Sequence, residues 1–129
     1  MKNKRLSSNT VFQRLFIAQF FIAVFIYCSL LLAPNPGGTL AISFNDLFLH
    51  MLGNTILVTS TWLAFHKHSD IAGPVIFVAL FSSLMELAQG FTDSRTPDIR
   101  DIAANLGGAV LGYVLCFILD QMNKQYRYL

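Results

Sequence analysis

Four long apolar stretches alternate with short polar ones along the chain. The apolar stretches cover residues 15–33, 47–65, 74–91 and 102–119, and each approaches the roughly 20 residues that a helix needs to cross the hydrocarbon core of a membrane. The sequences between them carry Pro, Gly, Asp or Asn, which are typical of helix ends and turns. The pattern predicts an all-α fold, an integral membrane bundle of four transmembrane helices with up-and-down topology.

Composition supports a membrane protein. Hydrophobic residues make up 54% of the chain and charged residues 12%, with a mean hydropathy of +0.55, which is too apolar for an ordinary soluble domain. The chain contains no internal repeat and no sign of a second domain. We therefore expect an N-terminal segment at residues 1–14, a transmembrane domain at residues 15–119 and a tail at residues 120–129.

Basic residues are distributed unevenly between the two sides of the predicted bundle. Seven lie in the termini and the second loop, whereas only Arg95 and Arg100 lie on the other side. Cytoplasmic segments are enriched in Lys and Arg, so we expect a multi-pass protein of the cell membrane with both termini in the cytoplasm. The outer side then carries five acids against two arginines. Because a phosphate backbone needs a net positive surface, we exclude nucleic acid as a partner.

Polar side chains recur at helical spacing on three of the predicted helices, always toward the outer end. Residues three, four or seven positions apart share one face of a helix, and the three stripes are Asp46, His50 and Asn54; Ser82, Glu86 and Gln89; and Asp101 and Asn105. Ionisable side chains avoid lipid, so the stripes should turn inward and meet. Ala104, Gly108 and Gly112 follow at four-residue spacing, the small-residue pattern that lets two membrane helices approach closely.

These residues carry a family resemblance. Asp46 and His50 resemble the upstream DKxxH motif of VanZ-like membrane proteins, although Leu47 stands where the family has lysine. The ExxQ…R…D..D…N..G…G core of that family is matched by Glu86, Gln89, Arg95, Asp98, Asp101, Asn105, Gly108 and Gly112, with Phe91 between the second and third of them. The resemblance covers the second to fourth helices. The resemblance implies a protein of the bacterial cell envelope and indicates which residues form its functional site. It does not define a reaction. The family is named for a protein associated with teicoplanin resistance.

The side-chain chemistry suggests roles for these positions. Burial near the end of the third helix favours the neutral form of the Glu86 carboxyl group, so Glu86, His50 and Asp46 are candidate proton handlers. Arg95 has a guanidinium that can grip a carboxylate or phosphate with two hydrogen bonds. The candidate ligand-binding residues are Arg95, Gln89, Asp98, Asp101 and Asn105. Structural alternatives stay open: Asp101 as an anion at a helix N-terminus, Gln89 and Asn105 as bridges between helices, and Arg95 paired with Asp98 or Glu86.

Metal binding has weak support in the sequence. Asp46, His50, Glu86 and Asp101 have suitable side chains, but no pair has the spacing of a motif such as HExxH, so we predict no metal and no cofactor.

Two function classes remain. The first is a protein that binds or modifies a lipid-linked phosphate or glycan headgroup at the outer leaflet. The second is a non-enzymatic partner or small carrier whose polar residues form a structural or proton-relay network.

Overall fold

The computed structural model describes residues 2–32, 46–65, 70–91 and 99–127. These residues form four α-helices, α1 (Lys2–Leu31), α2 (Asp46–Phe65), α3 (Ala72–Gln89) and α4 (Ile99–Arg127), and no strand occurs among them. All four helices are long and apolar enough to cross a membrane. The structure thus confirms the all-α fold and the four transmembrane helices.

The first and last helices extend beyond their apolar segments. Helix α1 begins at Lys2, whereas its apolar candidate span is Thr10–Leu31. Helix α4 continues to Arg127, so most of the stretch that we expected to be a separate tail is helical. Hydrophobicity marks where a helix can lie in lipid, but the backbone hydrogen bonds of a helix continue into polar sequence as long as no breaker intervenes.

The helices alternate in direction. Gln13 near the start of α1 donates a hydrogen bond to the carbonyl of Ala64 at the end of α2, which makes these two helices antiparallel. Helices α1 and α3 run parallel, since Phe20 contacts Phe77 and Gln89 bonds the carbonyl of Leu31. This up-and-down arrangement brings the ends of α1 and α3 and the starts of α2 and α4 together at one end of the bundle.

The most extensive helix packing joins α2 and α4. A Cβ atom added to Gly108 would lie 2.8 Å from Cβ of Asn54 and would overlap the backbone carbonyl of Met51, and one added to Gly112 would lie 2.6 Å from Cβ of Val58. Real Cβ atoms do not approach so closely, so glycine is required at both positions. The small residues predicted to allow close approach therefore do so at Gly108 and Gly112, while Ala104 is half-buried.

Apolar side chains both fill the bundle and cover its outside. Val58, Val78 and Cys116 are fully buried in the core. Phe25 and Leu84 are examples of large apolar residues that remain more than half exposed on the outer surface. A contiguous apolar exterior of this kind suits lipid as the surrounding solvent.

Candidate functional site

One end of the bundle holds a cluster of buried polar side chains. It lies within about two helical turns of the start of α2 and α4 and of the end of α1 and α3. The fully or almost fully buried members are Tyr27, His50, Asn54, Ser82, Glu86, Gln89 and Asn105, with Asp101 at 9% exposure. The polar stripes predicted on α2, α3 and α4 therefore turn inward at the same end of the molecule, except for Asp46, which is exposed at the start of α2.

Hydrogen bonds link three helices through the amide of Asn105. Its Oδ1 lies 2.6 Å from Nδ2 of Asn54, 3.1 Å from Nδ1 of His50 and 3.4 Å from the hydroxyl of Tyr27. Asn54 also donates to the Tyr27 hydroxyl over 2.9 Å and to the backbone carbonyl of His50 over 3.0 Å. Every partner is buried, so this network holds α1, α2 and α4 in one register.

The other ring nitrogen of His50 faces acidic side chains. Its Nε2 lies 3.8 Å from Oδ2 of Asp101, and Nε2 forms no hydrogen bond with the described residues. Asp46, one helical turn before His50, completes a group in which one ligand atom from each of the three residues lies within 4.8 Å of the other two. Among the described residues, this is the group whose side chains could hold a metal ion.

Helix α3 contributes Glu86 and Gln89 to the same end. Gln89 is 1% exposed, and its Nε2 donates a hydrogen bond of 3.1 Å to the carbonyl of Leu31 at the end of α1. Glu86 is also 1% exposed. The Gln89 bond connects two helices, in line with the bridging role considered for it.

A cavity of about 330 Å³ runs between α1 and α2 and ends at the cluster. Most of its wall is apolar, and its polar lining comes from Gln19, Tyr27, Asp46 and His50. Several of its apolar lining residues, such as Ile26 and Ile56, are about half exposed. The cavity is therefore a groove that opens on the apolar outer surface and leads to Asp46 and His50.

The structure brings together most of the residues predicted for the site. Asp46, His50, Asp101 and Asn105 lie in mutual contact or near contact. Asp101 is in the first turn of α4, where a carboxylate interacts favourably with the helix dipole. Arg95 and Asp98 lie outside the described residues, so their predicted ligand contacts stay predictions.

Sequence reasoning missed the contribution of α1. Tyr27 is 6% exposed and bonded to Asn54, yet it lies in a continuous apolar segment without a polar partner at helical spacing. The available signal was its chemistry, because a buried tyrosine hydroxyl usually finds a hydrogen-bond partner. The groove was also missed, since a space between two helices depends on their separation and has no sequence pattern of its own.

Comparison with known proteins identifies the family of the chain. No curated protein and no solved structure matches the chain. The family model described as VanZ/LLP1 matches residues 4–120, which include most of α1 and α4, all of α2 and α3 and every residue of the polar cluster. Taken with the four apolar helices, this match shows that the chain is a multi-pass membrane protein of the VanZ/LLP1 family.

Proposed function

We propose that this protein binds a membrane lipid with a phosphate or glycan headgroup. The observation that carries the proposal is the continuity of the groove with the polar cluster, since Asp46 and His50 line one end of a cavity whose other walls are mostly apolar. Its volume of about 330 Å³ is at the lower end of the range for small-molecule sites. A molecule that fills it must be amphiphilic.

The groove suits an acyl chain better than a water-soluble ligand. Its α2 wall extends from Asp46 to Leu57, a rise of roughly 16 Å at 1.5 Å per residue. The half-exposed Ile22 and Ile56 give an opening toward the surrounding lipid. An acyl chain can therefore enter sideways from the bilayer while its headgroup stays at the end of the bundle.

The headgroup would lie among the polar residues. Arg95 supplies the cation for a phosphate, as a guanidinium can bind two phosphate oxygens at once. Asp98, Asp101, Gln89 and Asn105 complete the proposed ligand site. Glu86 and His50 would transfer protons if the lipid is chemically modified, with Asp46 beside them. The distribution of basic residues supports an outer-leaflet location.

Native mass spectrometry of the detergent-purified protein tests the lipid proposal. We expect the parent protein to retain a phosphate- or glycan-bearing lipid. Ile56→Trp should fill the groove and reduce the retained lipid at least severalfold, because Ile56 lines the cavity and is 46% exposed. Leu80→Trp is the matched control, since Leu80 is 63% exposed on α3 and lies outside the groove lining. Equal lipid retention by both variants would contradict the proposal.

Substitution of Arg95 tests the headgroup contact. Arg95→Ala should stay folded and lose the lipid, and Arg95→Lys should restore only part of the binding because lysine keeps the charge but not the two-pronged geometry. If Arg95 instead neutralises buried carboxylates, Arg95→Ala should destabilise the fold by about 3–5 kcal/mol. Thermal unfolding and lipid analysis of the same sample distinguish these outcomes. A folded Arg95→Ala protein with its full lipid content would rule out the ligand role.

The buried network favours one alternative, a non-enzymatic partner or small carrier. The hydrogen bonds of Asn54, Asn105 and Tyr27 are directed at one another, which suits a structural or proton-relay network. A Glu86→Gln variant separates proton-dependent lipid chemistry from a purely structural network, because it removes an ionisable group at nearly constant size. Loss of the envelope phenotype in a well-folded variant favours lipid chemistry, whereas an unchanged phenotype favours the structural role.

A further inference from the structure

We infer that Asp46, His50 and Asp101 bind one divalent metal ion of the zinc or manganese class at the polar end of the bundle. The inference goes beyond the proposed lipid binding, because metal binding can be measured on protein from which lipid has been removed. It also departs from the expectation drawn from the sequence, where these residues show no metal motif. Tertiary structure creates the group by placing α4 beside α2.

The geometry of the group is compatible with a metal ion. One ligand atom from each residue lies within 4.8 Å of the other two, and His50 Nε2 is 3.8 Å from Asp101 Oδ2. Bonds of about 2.0–2.2 Å in a tetrahedral zinc site place neighbouring ligand atoms about 3.4 Å apart. Asp46 is exposed at the first residue of α2, and a side-chain rotation of about an ångström would bring its carboxylate to this separation.

Neighbouring hydrogen bonds define the tautomer of His50. The side-chain amide of Asn54 faces the backbone carbonyl of His50. A carbonyl oxygen can only accept a hydrogen bond, so the Asn54 atom that faces it must be the donor Nδ2. That same Nδ2 lies 2.6 Å from the Asn105 amide, and the Asn105 atom there must be the acceptor Oδ1. His50 Nδ1, which is 3.1 Å from this Oδ1, must then carry the proton.

This tautomer leaves an electron pair on Nε2. His50 is 0% exposed, and its Nε2 has no hydrogen-bond partner among the described residues, while the Asp101 carboxylate faces it. A metal ion between them would accept the Nε2 lone pair and offset the charge of the Asp101 carboxylate. A metal-binding histidine usually donates its other ring N–H to an oxygen, and the Nδ1 bond to Asn105 meets that requirement.

The ligand types favour a borderline divalent ion. Imidazole suits zinc and other transition metals, and carboxylates extend the range to manganese. Three protein ligands leave at least one coordination position open, as in catalytic metal sites. An ion held here would neutralise the facing carboxylates and present positive charge at the end of the groove, where a phosphate could complete the coordination. That last consequence alone rests on the proposed lipid site.

Zinc titration of lipid-stripped, chelator-treated protein in detergent tests the inference. Isothermal titration should give one Zn²⁺ per chain, native mass spectrometry should detect the same stoichiometry, and saturating zinc should raise the unfolding temperature. Asp46→Asn and Asp101→Asn should each weaken zinc binding at least tenfold. Asp46→Asn should remain folded without zinc, since residue 46 is exposed, and this keeps the loss of affinity distinguishable from unfolding.

Two control variants test whether zinc binds at other residues of the chain. Asp70→Asn changes an exposed aspartate at the opposite end of the bundle, and the His66→Gln, His68→Gln double variant removes the other two histidines of the chain. Both should keep the parent affinity. No zinc binding by the parent, or equal binding by Asp46→Asn and Asp70→Asn, would overturn the metal site and leave a proton between His50 and Asp101. Lipid retention is measured separately, so either proposal can fail while the other stands.

Discussion

At the scale of single residues, Asn105 organises the polar cluster. Its amide oxygen is approached by donors from α1 and α2, although it lies six residues after the start of α4. In hydrocarbon no water replaces a lost partner, so each donor has a strong preference for this acceptor. The position of the His50 ring is thus coupled to that of Tyr27 through their shared acceptor, the Asn105 amide oxygen.

Replacing Tyr27 with Phe tests this coupling. The change removes only a hydroxyl and keeps the ring that packs against Phe81. Since hydrogen bonds between membrane helices contribute about 0.6 kcal/mol on average and up to about 1.7, we expect a loss of about 1 kcal/mol in the free energy of unfolding. Reversible unfolding in mixed detergent micelles measures it. Tyr113→Phe is the control, because Tyr113 is 43% exposed on the outer surface and should unfold like the parent.

The site shows what sequence can reveal about single residues. The burial of His50, Asp101 and Asn105 was predictable because polar side chains at helical spacing in apolar helices avoid lipid; Asp46 shares the face of His50 but is exposed at the start of α2. Tyr27 was not predictable in this way, since tyrosine also occurs at lipid surfaces, as Tyr113 does here. The metal-ligand group was missed because its ligands are divided between α2 and α4, whose relative register depends on tertiary packing.

At the scale of helices, close approach of α4 to α2 assembles the site. Thr55 donates a hydrogen bond of 3.0 Å to the carbonyl of Gly108, which lies on the face that meets Met51 and Asn54. The same face of α4 carries Asn105 about one turn earlier and Asp101 about two turns earlier. Any group that separates the helices at Gly108 should therefore also displace the polar residues before it.

Adjacent glycines in α4 allow a matched test. Gly108→Ala places a Cβ against the Met51 backbone and Asn54, and because backbone cannot rotate away we expect a destabilisation of about 1–3 kcal/mol. Gly107→Ala meets nothing within 4 Å, so it should be neutral or stabilise the helix by up to about 1 kcal/mol. Unfolding curves of the two variants decide the point. Similar stability in both would show that α4 does not pack through this face.

The packing also explains which helix features the sequence could predict. Small residues at four-residue spacing indicated a tight interface without naming the partner helix, and the structure identifies that partner as α2. The spans followed from hydrophobicity, whereas the full extents of α1 and α4 did not, because polar ends such as Asn123–Arg127 continue a helix without an apolar signal. The short connections between the apolar segments were sufficient to predict that successive helices alternate in direction.

At the scale of the whole molecule, the two ends of the bundle differ in chemistry. One end holds the buried polar cluster and the mouth of the groove. The opposite end carries the Asp120–Lys124 ion pair of 2.6 Å and the Asp70 side chain, which accepts a hydrogen bond from the backbone of Gly73. Since basic residues concentrate toward this second end, the cluster lies on the side that the charge distribution assigns to the exterior.

Membrane orientation can be tested by labelling single cysteines in intact cells. Four alternating helices place the start of α1 and the end of α4 on the same side, and the excess of Lys and Arg there favours the cytoplasm. A membrane-impermeant maleimide should therefore label Ser94→Cys, in the segment between α3 and α4, and should not label Asn123→Cys near the end of α4. Cys28 and Cys116 lie within apolar spans, so the parent protein measures their background. If only Asn123→Cys were labelled, the orientation would be the reverse of the one expected here. The groove would then take up lipid from the inner leaflet.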